Sequence, residues 1–132
     1  FVIGVLTRSV LNEKISYVGK QELFNPLTSW FFRALGGTPV NRNSNENKVS
    51  AIAKIFKEKD AFRMAIAPEG TRKKVDHWKT GFYYIALEAK IPILLVHFNY
   101  PYKKISFLKL FDPTGDMEKD IKEMKTYFKR AD

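Results

Sequence analysis

Residues 64–74 read MAIAPEGTRKK, the end of an apolar strand, a tight turn and a cluster of positive charge. Phe62, Met64 and Ile66 alternate with Arg63 and Ala65 and lead to Ala67, which suits a strand with at least one face in a core. Pro68 fixes its own φ at the second position of a turn, and Gly70 tolerates backbone geometry that a side chain forbids, so the chain exits sharply at the strand's carboxyl end. Open α/β sheets place their ligands at that end. Thr71, Arg72, Lys73 and Lys74 then bring a hydroxyl, a guanidinium and two ammonium groups into one small volume, which suits a phosphate. A carboxylate adds nothing to a pure anion trap, so Glu69 points to a ligand that also carries hydroxyls, such as a polyol phosphate. The plainer alternative is a type I turn in which Glu69 and Arg72 form a surface ion pair of little value.

The hexapeptide APEGTR, residues 67–72, resembles the third sequence block of the glycerolipid acyltransferases, usually written Phe-Pro-Glu-Gly-Thr-Arg. Two further segments resemble blocks of that family in the same order. GGTPVNR, residues 36–42, matches the second block at Gly36, Val40 and Arg42 but has Asn41 where the family usually has Asp. IPILLV, residues 91–96, matches the fourth block at Ile91, Pro92 and Ile93 and lacks its second proline, at Leu95. GKQELF, residues 19–24, is similar to a Lys-x-Glu-Leu segment of the family, and Lys79-Thr80-Gly81 fits its habit of a Lys and a Gly ahead of a helix. APEGTR is the specific match; the others support it.

Around these blocks the chain punctuates itself. Residues 1–11 suit a helix buried on one side, and residues 15–19, ISYVG, a short strand ending at Lys20, which either solvates or faces an anion. From Pro26, residues 27–35 suit a helix with Leu27, Trp30, Phe31 and Leu35 on one face. With Phe32 off that stripe, it is either a core helix, one lying at a membrane interface or the wall of an acyl-chain groove. Residues 38–42 suit a strand, and Ser44 or Asn45 a cap for a helix buried at Val49, Ile52, Ala53 and Phe56. That helix feeds the 62–67 strand, giving a strand–helix–strand crossover and a parallel pair. A helix over residues 80–90 would bury Phe82, Ile85, Ala86 and Ala89. Residues 91–100 are nearly all apolar, as expected of a strand covered on both faces. A further strand around Ile105, Phe107 and Leu108 ends at Asp112-Pro113, and a solvated covering helix capped by Asp116 carries Met117, Ile121, Met124 and Phe128 as one stripe. The expected fold is α/β, a mostly parallel central sheet with helices on both faces, glycerolipid acyltransferase-like, and residues 1–132 form a single domain.

The formal charge of +9 and a pI near 9.7 imply an anionic partner. Net charge is all that favours nucleic acid, and without aromatic RNP strands no nucleic-acid partner is expected. The absence of cysteine excludes a thiolate nucleophile, a disulfide scaffold and a cysteine metal site. His77 stands in a polar loop and reads as a solvated histidine, His97 within an apolar strand as a satisfied buried one.

The resemblance implies acyl transfer from an acyl-CoA or acyl carrier protein thioester to a hydroxyl of a glycerol-phosphate-type acceptor such as lysophosphatidate, with no other cofactor and no metal. It implies acceptor-phosphate contacts from Arg42, Arg72 and Lys79, acceptor orientation by Glu69, Gly70 and Thr71, and an acyl-chain site at Ile91, Pro92 and Ile93. It also implies a place in phospholipid biosynthesis, on an anionic membrane surface, peripheral at its cytoplasmic face. The family's base is a His followed five residues later by Asp; here those places after His77 and His97 hold Phe82 and Tyr102. The His and Asp are therefore expected just before Phe1, in a segment this chain lacks. The alternative is a catalytically silent phospholipid-binding module.

Overall fold

The computed structural model describes residues 15–20, 26, 33, 37–40, 48–69 and 75–131. It is mixed α/β and divides into two compact units, residues 1–79 and 80–132.

In the first unit, β1 (Ile15–Lys20), β2 (Gly37–Val40) and β3 (Arg63–Met64) form a three-stranded sheet in the order β2-β1-β3. Both pairings are parallel, with Lys20 opposite Val40 and Ser16 opposite Met64. Pro39 lies in β2, an edge of this sheet, where a missing N–H is tolerated. α1 (Lys48–Glu58) packs on β2 and buries Ile52 and Ala53, with Val49 and Phe56 half-buried, the face its apolar spacing predicts. The Phe56 and Phe62 rings meet edge to face at 4.7 Å, and Lys59 Nζ lies 4.9 Å from the Phe62 ring centre, so aromatic contacts fix the turn from α1 into β3.

Two expectations are corrected here. The crossover through α1 does not join neighbours: β2 and β3 run in the same direction but β1 lies between them. Nor is 62–67 a buried strand. Only Arg63 and Met64 find a ladder partner, and Ala65, Ile66 and Ala67 are exposed as the chain runs towards Pro68. The expected helices over 1–11 and 27–35 lie outside the described residues, apart from Pro26 in a turn and Arg33 in a helical position, both exposed.

In the second unit, α2 (Gly81–Ala89) leads to the antiparallel pair β4 (Ile93–Asn99) and β5 (Lys104–Phe111), followed by α3 (Met117–Ala131). α2 ends in a Schellman arrangement: Lys90 is left-handed at φ 55°, its N–H donates to the Leu87 carbonyl, and the Ile91 N–H donates to the Ala86 carbonyl at 3.0 Å. The Lys119 N–H donates to Asp116 Oδ1 at 3.2 Å, capping α3 as its sequence predicts, and acidic Glu118 and Asp120 open the helix while Lys129 and Arg130 close it.

α3 packs on one side of the hairpin, where Leu95, Phe111 and Met124 are buried and the His97 ring meets Phe128 edge to face at 6.2 Å. His97 is half-buried rather than buried. β4 is not covered on both faces as its apolar run suggests, since Leu94 and Phe98 are exposed beside buried Leu95. The face of α2 also differs: Tyr83, Ile85 and Ala86 are buried, while Phe82 and Ala89 are only half-buried. The reason is polar. Tyr83 turns inward because its hydroxyl donates to Asp120 Oδ2 at 2.8 Å, and α3 is thereby more than a solvated cover.

Candidate functional site

Parallel pairing puts the carboxyl ends of β1, β2 and β3 at one edge of their sheet, with β2 and β3 on opposite sides of β1. A crevice outside such ends, where strand order reverses, is where open α/β sheets bind ligands. The register also sets the level of each exit. Lys20 is opposite Val40, and Pro68 lies as many residues past Met64 as Lys20 lies past its partner Ser16.

Pro68 and Glu69 form a turn and are half-buried. The Lys79 N–H donates to the Pro68 carbonyl at 2.8 Å, so the chain that leaves at Pro68 returns to it at Lys79. The loop between them is pinched shut at its base by backbone. Its sequence holds Glu69, Gly70, Thr71, Arg72, Lys73 and Lys74, and Lys79 stands exposed at the closure. Of the residues singled out in the sequence, Lys79 and Glu69 are thus brought to the same turn. Gly70, Thr71, Arg72 and Arg42 lie outside the described residues, as do Lys73 and Lys74. Asp76 and His77 are exposed on the returning limb, in keeping with a solvated His77.

Ile91, Pro92 and Ile93 belong to the second unit. Pro92 is exposed, Ile91 and Ile93 are half-buried, and Ile93 pairs with Phe111. Among the described residues no group of three His, Asp or Glu side chains gathers as metal ligands, and no helix is long and apolar enough to cross a membrane.

A polar network that apolar periodicity does not reveal lies in the second unit. Asp120 is 1% exposed and accepts from the Tyr83 hydroxyl at 2.8 Å, the Thr114 N–H at 2.7 Å and the Thr114 hydroxyl at 2.8 Å. The Tyr83 hydroxyl in turn accepts from the Gly115 N–H at 2.9 Å. Burial pushes the Asp120 carboxyl up, but the hydrogen bonds from the Thr114 amide, Tyr83 and the Thr114 hydroxyl, with the charge of Lys119, outweigh it and hold the group below 3.8. Burial, the bond to Asp120 and the negative charges of Asp120 and Asp116 push Tyr83 above 10.0, against the pull of the Gly115 amide. Sealed from solvent, this carboxylate meets no substrate; it ties α2 to the start of α3. The one signal for it in sequence is a capped helix with a second acid, Asp120, on its apolar side.

Among known proteins, the family model described as acyltransferase matches residues 1–98, which takes in β1 to β4 but for the end of the last strand. The chain belongs to the acyltransferase family. Membership supports general acyltransferase activity, and the family is that of the glycerolipid-type acyltransferases. No curated protein and no solved structure matches. The acyltransferase match ends before the hairpin tip, β5 and α3, so of the four residues of the Asp120 network only Tyr83 lies within it.

Proposed function

We propose that this acyltransferase moves a fatty acyl group from an acyl-CoA or acyl carrier protein thioester to a free hydroxyl of a glycerol-phosphate-type acceptor such as lysophosphatidate, in phospholipid biosynthesis. The observation that carries the reading is the loop closure: Pro68 and Glu69 turn past the end of a parallel strand, the Lys79 N–H closes on the Pro68 carbonyl, and the sequence that follows Glu69 is Gly-Thr-Arg. The parallel order β2-β1-β3 also favours the mostly parallel central sheet with helices on both faces, the architecture expected of the family.

In this mechanism Arg72 and Lys79, with Arg42 two residues beyond the end of β2, hold the acceptor phosphate. Glu69 accepts a hydrogen bond from an acceptor hydroxyl, with Gly70 and Thr71 shaping the turn beneath it, and Ile91, Pro92 and Ile93 border the acyl chain. The acceptor oxygen attacks the thioester carbonyl carbon, the C–S bond breaks, and the thiolate leaves and is protonated. A His held by an Asp, expected ahead of Phe1, takes the hydroxyl proton. Fixing acceptor and thioester in attacking geometry can supply much of the rate, but proton removal still needs that base. The reaction takes place at an anionic membrane surface, at the cytoplasmic face.

The test is acyl transfer to lysophosphatidate by the full-length protein and by Arg72→Ala. Loss of a charged phosphate contact is expected to lower efficiency at subsaturating acceptor by roughly tenfold to a hundredfold. Wild-type efficiency in the variant refutes the phosphate role. No turnover by the full-length protein, with phosphate-lipid binding retained, makes this a binding module.

A further inference from the structure

The β4–β5 hairpin has one face covered by α3 and one left open. On the open face the cross-strand partners are Leu94 with Leu110, Val96 with Phe107 and Phe98 with Ile105, all apolar. Phe107 and Leu110 are three residues apart and share this face because a bulge at Leu108 sets two β5 residues against one position of β4. The side chains are open to solvent: Leu94 is 49% exposed, Phe107 55% and Leu110 57%. At the tip Tyr100 and Tyr102 are 68% and 81% exposed. That tip is built, since the Lys103 N–H donates to the Tyr100 carbonyl at 3.1 Å and the Tyr102 N–H to Asn99 Oδ1 at 3.4 Å. A contiguous apolar face of this size marks an interaction surface.

Charge selects the occupant. Between Glu88 and Asp112 there is no carboxylate, while Lys90, Lys103, Lys104 and Lys109 are all present and exposed; Lys103 and Lys104 flank the tip, and Lys104 and Lys109, opposite Asn99 and Leu95, stand on the other side of the strands from the open face. Among the described residues the carboxylates of this unit lie elsewhere, at Glu88, Asp112 and Asp116 and on α3, where Glu118, Asp120 and Glu123 stand among five Lys and Arg. Two copies joined through such hairpins would set like charge against like charge, whereas a bilayer of anionic lipids offers an apolar interior beneath a negative rim. Tyrosines with an apolar body and a polar tip favour that boundary, and lysines beside them gain from the negative surface.

We propose that the tip of the β4–β5 hairpin, Tyr100, Tyr102, Lys103 and Lys104, together with the open apolar face behind it, is the surface by which this protein docks on an anionic lipid bilayer. The inference deepens the membrane-surface part of the proposed function and rests on it for the bilayer as the acceptor's source.

The test is co-sedimentation of the full-length protein with vesicles of phosphatidylcholine and phosphatidylglycerol, against vesicles of phosphatidylcholine alone. The variants are Tyr100→Ser with Tyr102→Ser, Lys103→Asn with Lys104→Gln, and Leu110→Ser; all these positions are exposed, and Asn suits the left-handed φ of 50° at Lys103. At low salt the lysine pair is expected to cost about thirtyfold in partition onto the anionic vesicles, an effect that fades as salt rises. The tyrosine pair is expected to cost about tenfold on both vesicle types. Binding by the variants equal to wild type, or no binding by wild type, overturns the proposal. A concentration-dependent dimer in sedimentation velocity that Leu110→Ser dissolves assigns the face to a second copy and also overturns it. Turnover separates this from the catalytic reading: on a short-chain acceptor dissolved as monomers the variants keep wild-type rates, and they lose rate on vesicle-embedded acceptor. If all forms are inactive on both acceptors while the binding differences persist, the acyl-transfer reading fails and the docking surface stands.

Discussion

Replacing Asp120 by Ala should destabilise the second unit more than any surface change. The substitution removes an acceptor that serves three donors and strands two of them, the hydroxyl of fully buried Tyr83 and the Thr114 N–H; the Thr114 hydroxyl is exposed and can turn to water. Each buried donor left without a partner costs about 1–3 kcal/mol, so the loss is about 2–5 kcal/mol, within the range for breaking one side of a buried charged network. For a chain of this size that is a fall in Tm of roughly 6–25 °C. Urea unfolding followed by far-ultraviolet circular dichroism should show a lower midpoint with an unchanged slope. Amide hydrogen exchange at Thr114 and Gly115 should accelerate before exchange in α1 does. Tyr83→Phe should cost less, about 1–2 kcal/mol, because Asp120 keeps both Thr114 donors. The double variant should then reveal a coupling of about 1 kcal/mol or more. A midpoint for Asp120→Ala within experimental error of wild type, with Thr114 exchange unchanged, would refute the network.

The same pair sets two limbs of the stability–pH curve. Asp120 is depressed below 3.8, so its contribution is full above that value and is lost as pH falls through the folded-state pKa; Tyr83 is raised above 10.0, so its contribution is full below that value and is lost as pH climbs through its own. Unfolding free energy measured across both ranges should decline at each end, and Tyr83→Phe should flatten the alkaline limb; an unaltered limb counts against the assignment. Lys90→Gly should raise stability by roughly 0.5–1 kcal/mol by relieving the left-handed φ at the end of α2, and a lower urea midpoint would contradict the Schellman geometry. Gly115→Ala should cost roughly 1–2 kcal/mol from its φ of 102° alone, because nothing stands within 4 Å of the added Cβ; thermal unfolding at unchanged Tm would show that the backbone there relaxes freely.

What the sequence made legible was local. The alternation at β1, the apolar spacing of α1, the Asp116 cap and the stripe of α3 depend on neighbours within a few residues, and each stands where its pattern places it. The position of β1 between β2 and β3 depends on pairings across tens of residues, and a strand–helix–strand pattern carries no mark of a third strand inserted between its ends. Tyr83 was passed over because apolar periodicity gives no weight to a tyrosine whose partner is a carboxylate 37 residues later. The open face of the hairpin misled in the opposite sense: an unbroken apolar run reads as two covered faces whether the second cover is protein or something else. At the site, APEGTR was readable from residue types that gather charge at a turn. The join of Lys79 to Pro68 was not, since it is made by backbone atoms that every residue but proline could supply.

That backbone clasp also makes the loop a cassette. Because the Lys79 N–H closes on the Pro68 carbonyl, the closure itself does not depend on which side chains residues 69–78 carry, and doubling a loop's length costs only about 0.6 kcal/mol in closure entropy. Exchanging the segment between Pro68 and Lys79 for that of another acyltransferase should therefore transfer acceptor preference while leaving the host fold alone. On the proposed function, a fold that closes its acceptor loop through backbone alone can diversify its substrates quickly, one short stretch of chain at a time.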